Sequence, residues 1–320
     1  MLNFYKLPKD YLKFEGTDRL DLVNRLSTNQ VIPLETYKGV KTILTSDKGR
    51  FVDLLTLFNF GDFVFVECSF NNAANVTAHL DKYTIMDDFT ITNLSGTHET
   101  ILFFGENVEE FISKLTGVDI AALNESGFIL TSEHDAIAFR SDDINGGIEF
   151  TYSVNDRDFW INAIFSEENR SEFGITEFSA EQFEVMRIES GIPKIGKEMT
   201  DLTNPLECGL NKYVSFTKGC YIGQEVIARL DAYDKISKHM VGIKLESTKD
   251  TLPAYGDKIT LEGKECGFVT SAIVSEKHGP IALGFVKTIF LDHSKEYAVK
   301  HNDTLIECSL VKLPFNKLAH

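Results

Sequence analysis

The chain has 320 residues, 43% apolar and 25% charged, a composition too apolar for a disordered polymer and long enough for about two or three domains with a sizeable core. Its 32 Lys and Arg against 48 Asp and Glu give a formal charge of −16, which excludes non-specific attraction to nucleic acid or anionic lipid but not a local basic pocket for a small anion. No run reaches the ~18 to 20 apolar residues of a membrane-spanning helix, and the N-terminal residues lack the apolar core of a signal peptide. The five cysteines are odd in number, widely spaced and without a C-x-x-C pair, so the reading is a reducing cytoplasm and free thiols.

Helix and strand signals alternate, which makes the class mixed α and β. Thr17 is placed to cap a first helix that turns Leu20, Val23 and Leu26 inward. Residues 51–58 and 63–67 are rich in β-branched and aromatic side chains and flank an Asn59–Asp62 turn, the pattern of a hairpin. A helix over 72–83 puts Val76, Leu80 and Tyr83 on one face. Asn107 with Glu110 predicts a capping box, Phe111 and Leu115 an inward stripe, and Gly117 a helix end. Ser179 with Gln182 predicts another box, opening a helix that buries Phe183 and Met186 and stops at Gly191 and Pro193. Beyond residue 235 the texture changes. Six short strand signals, at 241–245, 258–261, 267–274, 281–286, 296–300 and 305–311, follow one another without a helix and predict a small barrel or sandwich.

The usual dinucleotide, nucleotide-triphosphate, zincin and α/β-hydrolase motifs are missing, and no two of the eight His have the spacing of paired helix ligands. One segment carries chemistry: Lys218-Gly-Cys-Tyr-Ile-Gly-Gln-Glu-Val-Ile-Ala-Arg229. Gly219 and Gly223 permit a tight loop, and Val226, Ile227 and Leu230 predict a short helix after it. Cys220 then precedes the positive end of that helix beside Lys218, an arrangement that favours thiolate. Tyr221 offers a ring for stacking, and Lys218 and Arg229 offer charge to an anion. The same residues also read as a plain loop-to-helix junction with a small buried Cys.

The segment resembles the K-G-C-[YF]-x-G-Q-E-x-x-x-R signature of the YgfZ/GcvT-like folate-binding family, whose members resemble the T-protein of the glycine cleavage system. Phe14–Asp18 with Leu26–Gln30, Asp81–Phe89, Arg187–Pro193, Pro205 with Leu206 and Glu207, and Gly267–Ala272 resemble further pieces of that family along nearly the whole chain. The resemblance implies an α+β fold with two ferredoxin-like α/β units, over 1–97 and 98–234, and a six-stranded β-barrel over 235–320, arranged in a ring around a folate. It implies tetrahydrofolate or a derivative as cofactor, held by Lys218, Tyr221, Gln224, Arg229 and a pterin-binding carboxylate.

A carboxylate accepts adjacent N–H donors as a pair. Arg140–Phe150 resembles the T-protein stretch that ends in the pterin-binding Glu, so Glu149 is the candidate, although the usual Y-T-G-E is here Asp143-Ile-Asn-Gly146. A solvent-facing Glu on a strand is the plain alternative. The T-protein's acidic pair aligns with Asp53 and Leu54. Loss of the second acid removes a group worth orders of magnitude in rate. That departure points to the branch that binds folate and supports assembly or repair of iron–sulfur client enzymes, including tRNA-modifying ones, with Cys220 as its functional thiol and Asp53 as the remaining acid. The expected protein is a cytoplasmic monomer with folate and iron–sulfur clients as partners, no resident metal, and no direct contact with nucleic acid or membrane. A folate-dependent aminomethyltransferase and an interaction module that has lost its ligand remain as alternatives. Cys68 and Cys308 read as core residues, and core packing is the default for Trp160 and Phe216.

Overall fold

A computed structural model describes residues 1–120, 127–131, 134–141, 144, 146–232, 235–246 and 251–315. In chain order the elements are β1 (Leu2–Leu7), β2 (Lys9–Glu15), α1 (Arg19–Leu26), β3 (Gly39–Thr45), β4 (Phe51–Asn59), β5 (Val64–Ser69), α2 (Ala73–Tyr83), β6 (Thr90–Asn93) and β7 (His98–Gly105). Then come α3 (Val108–Thr116), β8 (Ile129–Leu130), β9 (Ala136–Arg140), β10 (Ile148–Ser153), α4 (Arg157–Ile164), α5 (Glu167–Phe173), β11 (Thr176–Glu177), α6 (Ala180–Ser190) and α7 (Gln224–Ala232). The last six strands are β12 (Lys238–Leu245), β13 (Lys258–Leu261), β14 (Lys264–Ser275), β15 (Gly279–Lys287), β16 (Glu296–His301) and β17 (Thr304–Val311). They close into a barrel in the order β12-β15-β14-β13-β16-β17. The mixed α+β class and the six-stranded C-terminal barrel are therefore both present. No helix among the described residues is long and apolar enough to cross a membrane.

The chain forms two compact units. The first comprises Met1–Leu44, Val52–Ser179 and Thr217–Ile222; the second comprises Thr45–Phe51, Ala180–Phe216 and Gly223–His320. Two sheets build the first unit, one in the order β3-β4-β5-β2-β6 and one in the order β11-β1-β7-β10-β9-β8.

Each sheet of this unit is buried on both faces, and strand periodicity shows how. Leu12 and Phe14 of β2 and Val64, Val66 and Cys68 of β5 pack with Leu22, Val23 and Leu26 of α1 and Val76 and Leu80 of α2. Ile148, Phe150 and Tyr152 of β10 pack with Phe111 and Ile112 of α3 and Trp160 and Ile164 of α4. The alternate residues point the other way, because successive strand side chains face opposite sides. There Tyr11, Phe58 and Phe65 of one sheet meet Ile137 and Phe139 of the other. Each such apolar side chain, fully buried, contributes about 1.5–3 kcal/mol.

Several local expectations need correction. The N-cap of α1 is Asp18, not Thr17. Thr17 instead donates its N–H and hydroxyl to Asp88, while the Asp88 N–H donates to Asp18. Asn107 precedes α3 in a left-handed conformation and makes no side-chain cap bond, so the predicted box does not form, whereas Gly117 does end the helix. The buried residues of α6 are Arg187 and Ile188, with Phe183 and Met186 only half-buried. A guanidinium with partners for all its donors has taken the interior position that periodicity assigns to apolar side chains. Phe216 is exposed rather than core, while Trp160, Cys68 and Cys308 are buried as expected.

Candidate functional site

The polar residues on the facing sides of the two sheets form one network. Tyr11 lies opposite Glu67 across β2 and β5, and Lys9 lies diagonal to Glu67 on the same face. Glu149 lies opposite Phe139 across β10 and β9. The Lys9 ammonium donates to Glu67 at 2.5 Å and also donates to Glu149. Lys41 of β3 stands 3.8 Å from the second Glu149 oxygen. Both ammonium groups approach the Phe139 ring, at 5.7 and 6.0 Å from its centre. A hydroxyl chain continues inward, with Thr151 donating to Glu67 at 2.6 Å, Thr100 bonded to Thr151 at 2.7 Å and Tyr11 bonded to Thr100 at 2.8 Å.

Electrostatics keep the pair ionised. Burial pulls the Glu149 carboxyl up, but the charges of Lys9 and Lys41 and the hydrogen bonds from Lys9 and Ser141 outweigh it and leave it below the ordinary carboxylate value. Burial pulls Lys9 down, and the Glu149 and Glu67 charges outweigh that in turn and hold it above the ordinary lysine value. Glu149 is therefore not the solvent-facing strand residue of the plain alternative. It is an interior carboxylate able to accept paired N–H donors. Of the Asp143-Ile-Asn-Gly146 departure from the T-protein stretch, Asp143 and Asn145 lie outside the described residues.

Asp53 is also enclosed, on the helix-facing side of β4. One carboxylate oxygen accepts the Leu54 N–H at 2.8 Å and the Ser69 hydroxyl at 2.6 Å, and the other accepts the Ser69 N–H at 3.0 Å. Burial raises its carboxyl above the ordinary value against those hydrogen bonds. The arrangement ties β4 to the end of β5. Leu54, at the position of the second acid, is an apolar, half-buried side chain.

The Lys218–Arg229 segment divides at residue 222. Lys218 is buried and donates to three main-chain oxygens at the end of α1 and just beyond it, Asn24 at 2.7 Å, Ser27 at 2.9 Å and Asn29 at 2.6 Å. Asn24 and Ser27 supply carbonyls that a helix end leaves without helical partners, so the ammonium anchors the loop by capping that end. Burial pulls it down to about 8, against three acceptors that favour its charge. The Ile222 N–H adds a bond to the Arg25 carbonyl at 2.9 Å. Tyr221 is buried with its ring 5.2 Å from the Lys218 ammonium, and burial pushes its hydroxyl up to about 12.

Cys220 is exposed, and the other four cysteines are buried. The alternative of a buried junction thiol is thereby set aside. Burial raises the thiols of Cys68, Cys208 and Cys266, and that of Cys308 to about 12, so each is held as an inert thiol. From Gly223 onward the segment belongs to the second unit. Gly223 has φ +78°, and a Cβ there would stand 2.5 Å from the Ser46 carbonyl oxygen, so only glycine fits. Gln224 begins α7 half-buried, and Arg229 lies exposed in its last turn.

Within the first unit the structure thus brings Glu149 together with three charged side chains that sequence reading did not single out: Lys9, Lys41 and Glu67. A strand that alternates Ile148, Phe150 and Tyr152 with Glu149 and Thr151 looks half-exposed in sequence. Only the second sheet turns its polar side into an interior.

Comparison with known proteins agrees with this architecture. The family model of the GCVT N-terminal domain matches residues 10–218, and that of the glycine cleavage T-protein C-terminal barrel domain matches residues 238–317. An aminomethyltransferase of Listeria welshimeri is 25% identical over 316 residues, covering 95% of this chain and 83% of its own. One of Chloroherpeton thalassium is 26% identical over 312 residues, covering 94% and 83%. The crystal structure of glycine cleavage system aminomethyltransferase T from Bartonella henselae superposes with a TM-score of 0.82 at 18% identity, over 98% of this chain and 86% of that one, which shows a shared fold. With its N-terminal and barrel portions both matched, the chain belongs to the glycine cleavage T-protein family.

Proposed function

We propose that this protein binds a reduced folate, with Glu149 accepting the N–H donors of the pterin ring, and that it serves iron–sulfur client enzymes through Cys220. The observation that carries the folate reading is the interior Glu149 carboxylate, held ionised between Lys9 and Lys41 in a chain of this family. Protonation would turn one of its oxygens into an O–H donor and spoil the paired acceptor that a carboxylate presents. The observation behind the second part is that Cys220 alone of five thiols is exposed, on a loop anchored beneath it by Lys218. A single thiolate cannot hold a stable cluster, so its role is transient ligation or exchange on a client. The free thiols fit a reducing cytoplasm.

The aminomethyltransferases among the relatives favour a second reading, folate-dependent aminomethyl transfer from a lipoyl carrier. Against it stand the enclosed Asp53 and the apolar Leu54. Reconstitution with the other glycine cleavage proteins separates the two. Formation of methylenetetrahydrofolate at the rate of an active T-protein would establish the transferase. No turnover, with loss of iron–sulfur enzyme activity in cells carrying Cys220→Ser, supports the client role.

A further inference from the structure

Lys9 stands between two carboxylates and donates to both, reaching Glu67 at 2.5 Å and bonding Glu149 as well. The four charged side chains are unequally covered. Glu67 is 1% exposed, Glu149 3%, Lys41 8% and Lys9 15%. The carboxylate proposed to receive the pterin is thus enclosed, and the most exposed member of its cluster is the ammonium bonded to it. A ligand's N–H donors and the Lys9 ammonium compete for the same oxygens.

We infer that Lys9 is a gate over Glu149, and that ligand entry consists of its transfer from Glu149 to Glu67. The inference rests on the folate reading and adds to it what must move. Glu67 is a fixed receiver, because Thr151 holds its other oxygen at 2.6 Å and the Thr100–Tyr11 chain holds Thr151. Lys41, 3.8 Å from the opposite Glu149 oxygen, stays behind as that carboxylate's counter-charge. Two carboxylates and two ammonium groups then pair one to one, so no buried charge is left without a partner when the gate opens. A lysine suits this role. Its ammonium is a compact point charge on a flexible stem and exchanges partners without the directional loss a guanidinium fork would suffer. Lys9 thereby sets both the affinity and the entry rate of the site.

The test is titration of the full chain with tetrahydrofolate by calorimetry, with association followed by stopped flow. Glu67→Gln removes the receiver and leaves Lys9 held by Glu149, so affinity falls about tenfold and association slows. Lys9→Met combined with Glu67→Gln removes both gate and receiver and leaves the balanced Glu149–Lys41 pair. Affinity then meets or exceeds that of the wild type, and association is faster by several-fold. A merely structural cluster would weaken binding in both variants alike, and that result overturns the gate while leaving folate binding intact. Absence of binding in all three proteins removes the folate reading and the gate with it. Should the double variant not fold, Lys9→Gln with Glu67→Gln keeps hydrogen-bonding groups at both positions and carries the same expectation.

Discussion

The cluster around Glu149 in the first unit and the cluster around Arg187 in the second both bury carboxylates beside cations, and they differ in the cation. Arg187 places all five of its N–H donors. They go to both oxygens of Glu184, to Glu198 at 3.1 Å, to the Ile192 carbonyl at 2.7 Å and to the Ser271 hydroxyl at 2.9 Å. Ser271 in turn donates to Glu198 at 2.7 Å. The guanidinium is 4% exposed and binds α6 to β14, both within the second unit. Around Glu149 the cations are two lysines, one of them shared between two acids. A rigid fork with every donor placed loses bonds in any other arrangement, whereas a point charge shared by two acids can leave one and keep the other. The difference separates a joint from a site.

Replacement of Arg187 tests the joint most severely. Arg187→Met leaves Glu198 buried without a counter-charge and should cost about 3–5 kcal/mol in denaturant unfolding. Arg187→Lys should recover only part of it, since one ammonium cannot reach the partners of a fork. Full stability of the lysine variant would erase the contrast between the clusters. Glu149→Gln should cost less, about 1–2 kcal/mol, because Lys9 keeps Glu67, the Gln side chain still accepts a hydrogen bond, and Lys41 loses only a carboxylate 3.8 Å away. A loss as large as that of Arg187→Met would mean that the Glu149 cluster is an equally fixed joint.

Acid titration sharpens the same contrast. The folded-state Glu149 carboxyl lies below its ordinary value of 4.5, so its contribution is complete above that pH and is lost as pH falls through the lower folded value. Wild type should therefore lose stability below about pH 4.5 more steeply than Glu149→Gln, as read from unfolding midpoints across pH 3–6. Parallel curves would show that Glu149 does not hold its charge in the fold. The smallest effect on stability belongs to Cys220→Ser, within about 0.5 kcal/mol, since an exposed side chain away from packing carries little. Iodoacetamide should label Cys220 faster than Cys68, whose thiol burial raises and shields. Equal labelling rates would end the argument for Cys220 as the working thiol.

Legibility in the sequence followed the reach of each interaction. The six barrel strands were readable because local alternation and turn residues specify them, and the structure extends each by at most a few residues. The hairpin of β4 and β5 and the helix α2 were readable for the same reason. The first two strands were not, because Leu2–Leu7 and Lys9–Glu15 mix Lys with apolar residues and show their two-sided burial only once both sheets are in place. Lys218, Cys220 and Glu149 were found through a motif and a resemblance. Lys9, Lys41 and Glu67 carry no motif and lie far from Glu149 in the chain, so only the fold brings them to it. Lys218 shows the opposite limit. Its identity suggested an anion site, while the fold directs its ammonium at three carbonyls.

The central claim is that Glu149 is the ionised acceptor of a folate, and calorimetric titration of wild type and Glu149→Gln with tetrahydrofolate tests it most directly. The account predicts saturable binding to the wild type and an affinity at least about tenfold weaker in the variant, the loss expected when a charged acceptor of hydrogen bonds is replaced by a neutral one. Equal affinities in the two proteins, or no binding to the wild type, would contradict it.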